Sequence, residues 1–181
     1  MLRLRTCLAI IVALSGQMAS GDALSGTKTI ALVEQNGTRH SIGQLFIGDD
    51  GGYRIDWADA VFTDHFLSMR PFKCLEGSEK DWCHVPYPYP NRRQLTGNDL
   101  TDLEYDLLFL WRGTSEYGIN MWNGVYYQLE QDGSALTGQL YELDMDLLSA
   151  PPADGELRPI SDADLHEADP DSHWLPGLTI E

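Results

Sequence analysis

Reactive side chains collect in one stretch of this chain. His65, Arg70, His84, Tyr87 and Tyr89 fall within 25 residues, with Cys74 and Cys83 among them. A histidine and an arginine beside paired tyrosines can line a pocket, where the guanidinium takes a ligand carboxylate through parallel N–H donors. His65 or His84 set against an aspartate would instead supply the general base of a small hydrolase. A structural role is open to each as well. His65 lies at the end of the segment Val61-Phe-Thr-Asp-His-Phe66, where a half-buried, satisfied imidazole fits, and Arg70 has many acids to pair with.

Other constellations fail on spacing. Cys74, Cys83 and His84, with His65 as a fourth candidate, offer zinc-ligating atoms, but the C-x8-C-H arrangement matches none of the compact zinc patterns. The sequence holds no G-x-S-x-G turn, no G-x-x-x-x-G-K loop and no G-x-G-x-x-G. His166-Glu167 begins like a zinc-protease helix, yet Pro170 stands where the second histidine belongs and would break the helix. The tail acids Asp162, Asp164, Glu167, Asp169 and Asp171 do not meet the calcium-loop template, because His166 and Glu167 occupy its fifth and sixth positions. No cofactor and no metal site is expected.

Charge narrows the choice of partner. The 181 residues carry 12 basic and 28 acidic side chains, a net charge of −16. Such a field repels phosphate backbones and anionic lipid surfaces, so nucleic acid and membrane insertion of the mature chain are not expected.

The compartment is read from the first residues. Arg3 and Arg5 precede the apolar run Cys7–Leu14, and small and polar residues follow to Gly21. This three-part layout is that of a secretory signal peptide over 1–21, with cleavage after Gly21 or Ala23. The apolar run is far short of the roughly 20 residues a spanning helix needs. Removal of the leader leaves 10 basic against 28 acidic residues, a net charge of −18. It also removes Cys7, so Cys74 and Cys83 remain as an even pair in an exported chain, periplasmic or extracellular. Their bridge closes a loop of ten residues, which the loop-entropy relation values at about 2.5–3 kcal/mol.

The elements that must position these groups read as strands. Asn36-Gly37, Asp50-Gly51, Asn123-Gly124 and Asp132-Gly133 are turn dipeptides between runs of strand formers. Tyr53, Ile55 and Trp57 alternate with Arg54 and Asp56, the signature of a half-buried strand. Further strands are expected over 29–33, 38–47, 107–111, 117–122, 125–130 and 136–143. Thr101-Asp-Leu-Glu104 has capping-box spacing and predicts one helical turn. The fold class expected is mainly β: a single-domain antiparallel meander over 24–150, forming a small barrel or sandwich. Its central segment, 67–98, is irregular and disulfide-closed, with Pro86, Pro88 and Pro90 favouring an extended path. Residues 151–181 are an acidic, proline-rich extended tail that docks by its apolar end, Trp174–Ile180.

The functional expectation is non-enzymatic binding of a small molecule or a partner protein. The alternatives are the His–carboxylate hydrolase and a structural or assembly role in the cell envelope, with the acidic tail as a strip for a basic partner.

Overall fold

The computed structural model describes residues 24–68, 70–96 and 99–181. The export leader read over 1–21 lies outside the described residues. The chain folds as one antiparallel sheet curled into a half-barrel, with one short helix. The strands are β1 (Gly26–Val33), β2 (Arg39–Ile47), β3 (Tyr53–Trp57), β4 (Thr63–Phe66), β5 (Pro71–Leu75), β6 (Lys80–His84), β7 (Phe109–Gly113), β8 (Gly124–Asp132), β9 (Ala135–Leu143), β10 (Leu165–Glu167) and β11 (Gly177–Ile180). Helix α1 spans Thr101–Asp106. The sheet runs β3-β2-β1-β11-β9-β8-β7-β6-β5-β4, and β10 adds to the end of β9.

Turn chemistry makes the hairpins. Gly37 and Gly133 take φ of 86° and 60° between β1 and β2 and between β8 and β9, a region that strains residues carrying a Cβ. Asn123-Gly124 is different, and here the structure corrects the expected strand-and-turn. Residues 121–123 form a 3-10 turn capped by Asn120, and Gly124 opens β8 at φ −67°. Gly118 at φ 80° breaks the segment expected to be a strand over 117–122. Gly124 is needed for room: a Cβ there would lie 2.3 Å from the Leu143 carbonyl oxygen.

The disulfide-closed central segment carries two strands. Cys74 of β5 stands directly opposite Cys83 of β6, and their sulfurs are bonded at 2.03 Å. The proline-rich path resumes after His84. The apolar end of the chain enters the sheet: β11 lies between β1 and β9, pairing Ile30 with Ile180 and Leu136 with Ile180 on its two sides.

Two apolar layers flank the sheet. One joins Leu32, Leu45, Trp82, Phe109, Tyr127 and Leu178 with Leu103 of α1. The other joins Tyr105, Leu108, Leu110 and Met145 with the disulfide Cys74–Cys83. Helix α1 is not held by the expected capping box. Thr101 is its first residue, the cap position belongs to Leu100, and Glu104 turns into the core. There the Glu104 carboxylate accepts the Tyr126 hydroxyl and, at 2.7 Å, the backbone N–H of Leu129. The physical reason is a gap in the sheet. Strand β7 meets β8 at only two positions, Phe109↔Val125 and Leu110↔Gly124, so the N–H of Leu129 needs another acceptor. Burial raises the Glu104 carboxyl above the usual carboxylate range.

Strands β3 and β4, the two ends of the path, do not pair. The barrel therefore keeps an open seam, and the candidate site lies along it. No described helix is long and apolar enough to cross a membrane.

Candidate functional site

Residues from both sides of the seam face one cleft of about 310 Å³. Strand β3 brings Arg54, Ile55 and Trp57, and β5 brings Lys73. The chain leaving β6 brings His84, Pro86 and Tyr87, while Arg93 and Asp106 close the end. This volume lies at the lower end of the range for small-molecule sites, and the mixture of aromatic walls with a few charged groups is typical of them.

Asp106, the last residue of α1, organises the interior. Its backbone carbonyl lies 3.1 Å from His84 Nε2. A carbonyl only accepts, so Nε2 carries the proton and donates. The ring packs against Trp57 at a tilt of 42°, with centroids 4.2 Å apart, and against Phe109 at 5.5 Å. Burial pushes the His84 pKa down to about 4, with the bond to the Asp106 carbonyl opposing it. At neutral pH the imidazole is uncharged, and Nδ1 is a bare acceptor. The Asp106 carboxylate is occupied on one oxygen: Oδ2 accepts the Tyr53 hydroxyl at 3.1 Å and Arg93 Nε at 3.0 Å. Burial and that carboxylate push the Tyr53 phenol well above its usual range, so it stays a donor.

Three cations edge the cleft. Arg54 pairs with Asp56 and lies 3.7 Å over the Phe46 ring. Lys73 reaches Asp59 at 3.0 Å, which holds its ammonium charged, and Asp64 at 3.8 Å. Arg93 uses Nε on Asp106, and among the described residues its other nitrogens have no acid partner. Its backbone sits at φ 52°. That conformation is held from three sides. Arg93 N donates to Asn91 Oδ1 at 2.9 Å, the Arg93 carbonyl accepts Tyr53 N at 3.1 Å, and Gln94 N donates to Asp102 Oδ2 at 3.1 Å. Asp102 is buried and is neutralised by Arg158 at 2.6 Å. A non-glycine residue at positive φ persists only where its surroundings over-determine it, and such positions cluster at ligand sites.

Of the site residues read from the sequence, His84 and Tyr87 line this cleft. Tyr87 donates to the Leu157 carbonyl at 2.9 Å and meets Tyr89 edge-on at 5.6 Å. Tyr89 donates to the Leu148 carbonyl at 2.7 Å and packs with the apolar layer around the disulfide. His65 lies on β4, 3.1 Å from Glu76. Arg70 is exposed, 6.0 Å over the Phe72 ring. The structure therefore separates His65 and Arg70 from His84. It brings in Arg54, Trp57, Lys73, Arg93 and Asp106, which sequence reading had missed. The dipeptide Arg92-Arg93 beside Asn91, in a chain this short of basic residues, is the signal that could have found them.

No family model, no curated protein and no solved structure matches this chain.

Proposed function

We propose that this is an exported, non-enzymatic binding protein whose seam cleft takes a small, flat anion. The observation that carries the reading is the charge of the cleft. A chain with 28 acidic and 12 basic residues lines the cleft with Arg54, Lys73, Arg93 and the Asp106 carboxylate, against an aromatic wall of Trp57, Tyr87 and neutral His84, while Asp56 and Asp59 pair with Arg54 and Lys73 at its edge. Guanidinium groups and an ammonium suit a carboxylate or phosphate, and the aromatic walls suit a flat apolar body. In a protein with a strongly negative overall field, an anionic ligand gains most where cations are gathered.

Two observations favour binding over turnover. Among the described residues no serine, threonine or cysteine lines the cleft. His84 is bonded to a backbone carbonyl rather than to a carboxylate, and a pKa of about 4 makes it a weak base at neutral pH. Export is supported by the leader layout of 1–21 and by the bonded pair Cys74–Cys83, since disulfides persist in oxidising compartments.

The test is a titration with benzoate, using benzamide as the neutral match, read by tryptophan fluorescence and by melting temperature. Benzoate is expected to bind saturably and benzamide to bind about tenfold more weakly or worse. Arg54→Gln and Lys73→Gln remove exposed charges, which leaves the fold in place, and each is expected to weaken benzoate about three- to tenfold. Equal responses to benzoate and benzamide, or none to either benzoate or phenyl phosphate, would reject the reading.

A further inference from the structure

The cleft does not end at Arg93. A second, shallower furrow of about 620 Å³ continues past it, and the two share Arg54 and Arg93 as their common ridge. Phe46, Gly48 and Gln94 line this furrow, together with Arg92. Four of the ten basic side chains from Leu24 onward, Arg54, Lys73, Arg92 and Arg93, thus flank one continuous depression.

Arg92 is the unusual member. It is exposed and, among the described residues, has no hydrogen bond, ion pair or ring contact. Yet it stands in a chain where acids outnumber bases by more than two to one. Its loop is nevertheless built rather than slack. Gln94 donates through its side chain to the Asp50 carbonyl, and Leu95 N donates to the Gly51 carbonyl at 2.9 Å. The fold also requires Gly51 here: its φ is 79°, and a Cβ would lie 2.2 Å from the Leu95 carbonyl oxygen. Asp50 is the carboxylate in the furrow lining, and its Oδ1 is turned onto Gly52 N at 3.0 Å. An ordered loop thus presents a guanidinium with no acceptor among the described residues beside Arg93, which holds positive φ and lines the same depression. Pre-organised donors of this kind lower the ordering cost that an anion must overcome.

We infer that the natural ligand carries two anionic groups on one flat body, the first in the seam cleft and the second over Arg92 in the furrow. This inference rests on the reading of the cleft as an anion site. The chemical class is a planar dianion, such as an aromatic dicarboxylate or a carboxylate with a phosphate. Arg54 and Arg93 between the two lobes set the spacing.

The experiment compares terephthalate and the longer biphenyl dicarboxylate with their monoamides by calorimetry on the full chain. The same titrations are run on Arg92→Gln, with benzoate as the reference. At least one dianion is expected to bind about tenfold more tightly than its monoamide, a difference of about 1.4 kcal/mol. Arg92→Gln is expected to erase that difference while benzoate binding and melting temperature stay unchanged. If benzoate binds but each dianion matches its monoamide, the two-lobed inference fails and the cleft reading survives. If the difference persists in Arg92→Gln, the second group sits elsewhere and the inference fails. If neither benzoate nor any dianion binds, both readings fail.

Discussion

Removing residues 177–181 is expected to abolish cooperative folding. Strand β11 is interior to the sheet, hydrogen-bonded to β1 on one side and to β9 on the other. Its loss leaves two long strands facing a gap the width of a strand. Their backbone groups there would be unpaired in a region otherwise closed to water. Leu178 is 1% exposed and Ile180 0%, and deleting side chains buried to that degree costs about 2–5 kcal/mol each. Together the two side chains alone match much of the roughly 5–15 kcal/mol by which a domain this size is stable. The single change Leu178→Ala gives the graded version, an expected loss of about 3 kcal/mol in urea unfolding. A tail merely resting on the surface would cost less than about 0.5 kcal/mol for the same change. A truncated chain that kept its near-ultraviolet circular dichroism and a sharp urea transition would refute the role given to β11.

Acid is expected to unfold the protein in part through His84. In the unfolded chain the imidazole has its ordinary pKa of 6.5, whereas burial in the fold lowers it to about 4. Between those values the unfolded state binds a proton that the native state refuses, so stability falls as pH falls. The contribution of the neutral imidazole is whole above pH 6.5 and is lost as pH drops towards about 4. It amounts to about 3 kcal/mol at roughly 1.36 kcal/mol per pH unit. His173 adds to the same limb, since burial lowers its pKa in spite of the bond to Glu142 at 2.9 Å. Glu104 works in the opposite sense. Its raised carboxyl pKa favours the folded state as pH falls, so whole-protein curves mix several groups. A difference experiment isolates His84. His84→Gln keeps a donor for the Asp106 carbonyl and does not titrate. Urea stability measured from about pH 7 to about pH 4 is expected to fall by about 3 kcal/mol less in this variant than in the wild type. Parallel curves would show that His84 is not held neutral by the fold.

Local signals carried most of the fold. Alternation in Tyr53–Trp57, the turns at Asn36-Gly37, Asp50-Gly51 and Asp132-Gly133, and the paired cysteines each act over a few residues, and the strands follow them. What local signals cannot hold is which strands become neighbours. Trp174–Ile180 reads as an apolar end because its partners, β1 and β9, lie about forty or more residues away in the chain. The capping-box spacing at Thr101 was outweighed by a tertiary demand: Leu129 N needed an acceptor, and Glu104 supplied it. The site was legible only in part for the same reason. His84 and Tyr87 sit in the conspicuous cysteine and proline segment. Arg54 and Trp57 look like ordinary members of an amphipathic strand, and Asp106 like an exposed acid ending a helix. They become a site because the sheet ends do not pair, a property of the whole strand order.

The most direct measurement is nitrogen NMR of the histidine side chains during a benzoate titration near neutral pH. The chain has five histidines, and His84 alone among those described lines the cleft. Its spectrum is expected to show a neutral ring protonated on Nε2. Its signals, with those of the Trp57 indole, should move saturably while His65 and His173 stay still. A charged His84, or benzoate shifts spread evenly over the histidines without saturation, would contradict an anion site at the seam.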